Sequence, residues 1–255
     1  MATWDPAQYL RWSDHRLRPA VDLLQRVPLT SPARVVDLGC GTGNVTALLR
    51  ARWPEAHVTG VDASRTMLER ARASDRGVEW LEADVATWTP PAPVDVLFSN
   101  ATLHWIDDHA ALFPRLVTLV AAGGALAVQM PRNFGEPSHT SIYEVAREAR
   151  WRARLEKLIR PEPTKPPEFY WDLLASRVSA LDVWETVYTQ ALTGDNSVAD
   201  FVKGSWLKPF LDALHPDDRE SFERAYRARV ARAYPPRADG TTLFPFRRLF
   251  MVARC

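Results

Sequence analysis

Between residues 34 and 131, short apolar runs alternate with stretches in which apolar residues recur every three or four positions. The runs "RVVDL" (34–38), "HVTGVD" (57–62), "VEWLEAD" (78–84), "VDVLFSN" (94–100) and "GALAVQMP" (124–131) read as strands, and 43–52, 65–74 and 109–121 as helices. A Pro-rich turn, "TPPAPV", separates the third strand from the fourth, and elsewhere strands alternate with helices, which predicts an α/β fold: a parallel sheet with helices on both faces. Ahead of this block, residues 4–27 predict a helix with Tyr9, Trp12, Leu17, Val21 and Leu24 on its apolar face, ended by Pro28 and Pro32. Beyond Pro131 the pattern changes. A charged helix is expected over 138–160, a Pro-rich loop over 160–170, and a helix over 170–176. A strand follows at 181–192, then helical segments over 197–233 broken near Pro209 and Pro216, and a last strand at 246–254. The chain thus reads as a sheet domain with a helical insertion near its carboxyl end.

A length of 255 residues with 46% hydrophobic content suits one large domain or one domain with a substantial insertion. Lys and Arg number 32 against 31 Asp and Glu, a net charge of +1, so no excess of basic charge points to nucleic acid, and no basic tail points to a membrane. The amino terminus has no apolar signal core and no apolar run is long enough to span a bilayer, so a cytoplasmic protein is expected, as a monomer or homodimer. Nearly every basic residue is Arg, whose planar fork binds both oxygens of a carboxylate. The two cysteines, Cys40 and Cys255, have neither metal-ligand spacing nor a disulfide framework.

Chemistry gathers where strands end. After "RVVDL" comes "GCGTGN", with glycines at 39, 41 and 43 that let the backbone turn sharply and approach a ligand closely. A P-loop would require Gly-Lys-Ser/Thr after the last glycine, and the dinucleotide fingerprint is G-x-G-x-x-G; "GCGTGNV" is neither. Asp37, two residues before the first glycine, would repel a pyrophosphate and attract an amino group. Asp62 ends the second strand, a position from which an acid binds the two hydroxyls of a ribose. Asp84 follows the third strand, where a side chain can accept from the exocyclic amine of adenine. Amino acid, ribose and adenine together describe S-adenosyl-L-methionine (SAM).

The motifs "VVDLGCGTG", "VTGVDAS", "LEADV" and "LFSNATLHW", in that order at successive strand ends, resemble those of the class I SAM-dependent methyltransferases. Further stretches are similar to the trans-aconitate methyltransferase family: "WDPAQYL" (4–10), "RPAVDLLQRVPL" (18–29), "LAVQMPRNFGEPSH" (126–139), "DVWETVY" (182–188) and "FPFRRLFMVA" (244–253). The resemblance implies a Rossmann-like, seven-stranded, mostly parallel sheet whose last strand is antiparallel, with a helical insertion covering the active site. It implies one methyltransferase domain over 1–255: an N-terminal helix (1–30), a SAM-binding core (31–135), a helical cap with one strand (136–245) and a final strand (246–255). The cofactor contacts it implies are Asp37, Gly39, Cys40, Gly41, Asp62, Ala63, Met67, Asp84, Val85, Asn100, Ala101 and Trp105. The activity it implies is esterification of one carboxylate of trans-aconitate. Thr42 stands where members often carry Pro, a conservative change for the loop, and 150–168 matches too weakly to carry substrate contacts over.

A carboxylate acceptor is ionised at pH 7 and requires only positioning, whereas a phenol or amine requires a base. His104 in "NATLHW" is the candidate base, with shaping of the pocket as the plainer role. For a polycarboxylic acid the candidate cations are Arg132, just past the fifth strand, with Arg18, Arg247 and Arg248; each suits a salt bridge equally well. Tyr9, Tyr170 and Trp206 are candidate pocket-lining residues, and Asp107 and Asp108 read as a helix cap rather than metal ligands. The competing functions are methylation of another small molecule, such as a natural product, and a SAM-binding partner without catalysis.

Overall fold

The structure, a computed structural model, describes residues 17–255. The expected first helix is seen from Arg18 as α1 (Arg18–Arg26), with Pro19 in the first turn, where its missing N–H leaves no bond unmade. Tyr9 lies outside the described residues.

The alternating block follows as β1 (Arg34–Leu38), α2 (Asn44–Arg52), β2 (His57–Asp62), α3 (Arg65–Ser74), β3 (Glu79–Glu82), β4 (Val94–Asn100), α4 (His109–Thr118) and β5 (Val120–Pro131). Asp108 caps α4 by accepting from the Ala111 N–H at 3.0 Å. Of the residues expected to extend that helix, Leu119 is its C-cap, and 120 and 121 go to β5 instead. Val94 pairs with Val120 and Val96 with Ala125, so a bulge at Gly123 and Gly124 absorbs the extra residues and starts the strand early.

The remainder comprises α5 (Pro137–Ala146), α6 (Arg152–Leu155), α7 (Pro167–Leu174), β6 (Ala180–Thr193), α8 (Ser197–Val202), α9 (Lys208–Asp212), α10 (Pro216–Ala233) and β7 (Thr241–Arg254). Three expectations are corrected here. The helix over 138–160 is two, α5 and α6, because the chain turns between them to seat Trp151 edge-on against Phe222, ring centroids 5.3 Å apart. The run 197–212 is not broken at Pro209: a π-turn at Lys203–Leu207 joins α8 to α9, and Pro209 then falls in a first turn, where no N–H is required. The last strand begins at Thr241, not 246; Thr242, Phe244 and Phe246 alternate inward while Pro245 stays on the exposed side.

The strands form one seven-stranded sheet, ordered β3-β2-β1-β4-β5-β7-β6. Neighbours from β3 to β5 are parallel. The Cys255 N–H bonds to the Gly124 carbonyl and the Arg132 N–H to the Arg247 carbonyl, so residue numbers rise on β5 as they fall on β7. β7 is thereby the one antiparallel strand of the sheet.

The chain divides into two compact units. The first holds residues up to Met130, Lys165–Thr186 and Arg248–Cys255; the second holds Pro131–Thr164 and Val187–Arg247. Each has its own apolar core. In the first, Val36, Leu38, Leu97, Leu126 and Val128 from one sheet face pack with Phe113, Leu116 and Tyr170. In the second, Ile142, Trp151, Val202, Phe222, Tyr226 and Phe244 form the centre.

Candidate active site

In an open parallel sheet, ligands collect beyond the carboxyl ends of the strands. There, in the first unit, lies a cleft of about 690 Å³, within the usual range for small-molecule sites. It is bounded by the loop after β1, the ends of β2 and β4, the segment after β3, and Arg248 on β7. Asp37, Gly39, Cys40, Gly41, Asp62, Ala63, Met67, Asp84, Val85, Asn100, Ala101 and Trp105 all line this one cleft.

The glycine loop is built by three different constraints. Gly39 has φ +82°, and a Cβ there would fall 2.1 Å from the Thr102 side chain, whose hydroxyl donates to the Gly39 carbonyl at 3.0 Å. Gly43 has φ +83° and lies under Trp80, whose ring also fills the notch at Gly60. The third glycine of the motif thus seats a side chain of β3. Gly41, with φ +56°, has nothing within 4 Å of where a Cβ would stand, so its open side belongs to the cleft.

The acids are held in distinct ways. Asp37 is buried and accepts from the Thr46 hydroxyl at 2.6 Å. Burial pushes its carboxyl up to about 7, the Thr46 bond opposes this, and Asp62 adds to the rise. Asp62 accepts from the Gly41 N–H at 2.9 Å through one oxygen and from the Ser64 N–H at 2.8 Å through the other, so it pins the loop and retains lone pairs for a ligand. Asp84 accepts from the Ala86 N–H at 2.9 Å. The Cys40 thiol is pushed far up by burial and by Asp37 and Asp62, which makes it inert. Ala101, just past β4, adopts φ +55°, rare for a residue with a Cβ, and its N–H bonds to the Gln129 carbonyl at 2.9 Å.

Of the other candidates, Arg248 lines the cleft and is itself mostly buried. His104 is buried, and the cleft is lined by its neighbours Thr102, Trp105 and Ile106 rather than by its own ring. Burial, and then Arg248 and His109, depress its pKa to about 3. Tyr170 is a core residue and is not among those lining this cleft. It is fully buried, its hydroxyl lies 2.7 Å from His109 Nδ1, and its ring packs on Phe113. Arg132 and Arg247 belong to the second unit, where Arg247 pairs with Glu136 at 3.8 Å and its carbonyl accepts from the Arg132 N–H. Trp206, in the same unit, donates to the Tyr143 hydroxyl at 2.9 Å. Thr102, Ser64 and Ile106 line the cleft without having been singled out in the sequence. Only Ser64 carried a signal, as the residue before the α3 apolar pattern, where it caps the helix.

This sheet order, with one antiparallel strand and a glycine loop opening on an acid-rimmed cleft, defines a class I methyltransferase. Residues 35–124 match the family model of a methyltransferase domain. Among solved structures, the fold is shared with phosphoethanolamine N-methyltransferase 2 of Haemonchus contortus, at TM-score 0.54 and 17% identity over 92% of this chain and 52% of that one. Over 99% of both chains, the protein is 49% identical to the trans-aconitate 2-methyltransferase of Azoarcus sp. (strain BH72). It is 50% identical to that of Methylobacterium nodulans over 100% of this chain and 99% of the other. The chain belongs to the trans-aconitate 2-methyltransferase family.

Proposed function

We propose that the protein transfers a methyl group from SAM to one carboxylate of trans-aconitate, giving the monomethyl ester. The cleft suits the donor. Asp37 would take the ammonium group, Asp62 the ribose hydroxyls, Asp84 the adenine amine, and the open side of Gly41 leaves room for close approach. Met67, 41% exposed, and Trp105, 51% exposed, offer apolar surface at the rim for the adenine. SAM, when bound, supplies a methyl carbon activated by the adjacent sulfonium, which leaves with the electron pair of the broken carbon–sulfur bond.

The observation that carries the acceptor class is the lack of a competent base. A phenol ionises near pH 10. An imidazole with its pKa near 3, as at His104, is too weak to deprotonate one at useful rate. No His, Lys or Tyr lines the cleft among the described residues. Asp37 does titrate near neutrality, but it is bonded to Thr46, and an ammonium beside it would draw its pKa back down. A carboxylate arrives ionised and requires alignment and charge neutralisation, which Arg248, lining the cleft, would provide. A cytoplasmic location and a monomeric or homodimeric state are part of this proposal; size-exclusion chromatography tests the latter.

The pH dependence of kcat tests the reading. With trans-aconitate at saturation, kcat should be nearly flat from about pH 6.5 to 9, and His104→Gln should cost no more than about tenfold. A kcat that rises steeply with pH in the wild type and loses that rise in His104→Gln would show proton removal in the slow step and overturn it.

A further inference from the structure

Gln129 stands out in the first unit because nothing among the described residues satisfies it. It is 0% exposed, yet neither its Oε1 nor its Nε2 has a hydrogen-bond partner. Asn100 Oδ1, on the next strand, is likewise buried and unpartnered. A buried amide left unmade costs on the order of 1–3 kcal/mol, and an apolar residue of the same shape would avoid that cost. Such a group calls for a reason, and ligands of open α/β sheets bind at the carboxyl edge where this one stands.

Strand register shows where these amides stand. Asn100 of β4 pairs with Gln129 of β5, and Asp37 of β1 pairs with Phe98, two residues before Asn100. Side chains alternate along a strand, so Asp37, Asn100 and Gln129 share one sheet face. On β7 the register of β5 puts Phe250 opposite Gln129, and Arg248 two residues on is therefore on that same face. Asp37, Asn100 and Arg248 all line the cleft. Gln129 is the fourth polar member of this row, one layer below the surface of the cleft.

We propose that the carboxamides of Asn100 and Gln129, with Arg248 supplying the positive charge, form the subsite for the acceptor's reacting carboxylate. The inference rests on the carboxyl-methylation reading above and adds which residues recognise the acid. A half-turn about the last side-chain bond lets Asn100 present its NH2 in place of Oδ1, and the three torsions of Gln129 allow its NH2 to rise to the cleft floor. Two amide donors hold one carboxylate oxygen each without taking a proton, leaving the second lone pairs free for attack. An environment closed to water makes these bonds stronger than they would be at the surface. Apolar replacements would fold equally well, so selection for stability alone does not explain amides at both positions.

The test is Gln129→Met, which keeps length and volume and removes the amide. Thermal unfolding should show a Tm equal to or above that of the wild type, and calorimetry should give SAM affinity within about twofold. The KM for trans-aconitate should rise about ten- to hundredfold, as for loss of a hydrogen bond to a charged group. A KM within twofold of wild type, whatever the Tm, overturns the subsite. If Gln129→Met does not fold, Gln129→Glu keeps the shape and changes the pH profile. Its KM for the acid should climb with pH as the new carboxyl ionises and repels the substrate, while that of the wild type stays level; a level profile in both overturns the proposal. Failure of the parent reading is distinct: the wild type would then esterify no carboxylic acid while methylating a phenol or an amine.

Discussion

At Asp37, burial opposes ionisation of a carboxyl that lines the cleft. Its carboxyl is raised from 3.8 to about 7 by burial, so the folded chain holds a proton that the unfolded chain has released. Its contribution to stability is therefore full below about pH 4 and is lost as pH climbs through about 7. A cationic ligand favours the ionised form. SAM affinity should accordingly rise between pH 5.5 and 7, by at most tenfold per unit. Asp37→Asn should flatten that rise, weaken binding about ten- to hundredfold, and leave Tm at pH 8 unchanged or higher. Calorimetry at three pH values checks this; the same slope in the variant would remove Asp37 from the site. The acids were legible in the sequence because each lies at or within two residues of a strand's end, which fixes where a side chain arrives. Depth was not legible. Tyr170 and Trp206 look like pocket aromatics in a string of letters, and only packing shows them inside cores. Nor does a sequence reveal that Gln129 lacks a partner, since that depends on the register of three strands.

Within elements, the glycine loop separates positions packed against side chains from one that opens on the cleft. Gly39→Ala meets both a left-handed φ and the Thr102 side chain, so it should destabilise by about 2–4 kcal/mol and abolish SAM binding together with the fold of the loop. Gly41→Ala meets only the φ penalty, about 1 kcal/mol, since its Cβ enters open space. Its Tm should fall by a few degrees while SAM affinity drops at least tenfold. Thermal unfolding and calorimetry on the two variants would decide; equal Tm losses would mean that the two glycines do the same job. The motif announced a tight loop but not this division of labour, which depends on Thr102 and Trp80, 63 and 37 positions downstream of Gly39 and Gly43. Strand positions came through well because apolar runs between β1 and β5 are short and well bounded. Helices after Pro131 came through less well. A π-turn can absorb Pro209, and Trp151 can sit in the break between two helices, through tertiary packing that local periodicity does not encode.

At the scale of the whole molecule, the sheet order places every cleft residue at one edge of one unit, and the twelve expected cofactor positions meet there. Alternation of strands and helices predicted the α/β class, and the family resemblance implied the antiparallel last strand. Two separate apolar cores were not foreseen. Nothing local marks that Lys165–Thr186 returns to the first unit. The central claim is ester formation on a carboxylic acid. Incubation with trans-aconitate and SAM carrying a labelled methyl group should place one label per acid molecule in a product whose label is released by mild base, as from a methyl ester. No base-labile product from trans-aconitate, with label passing instead into a base-stable phenol ether or methylamine, would contradict the account.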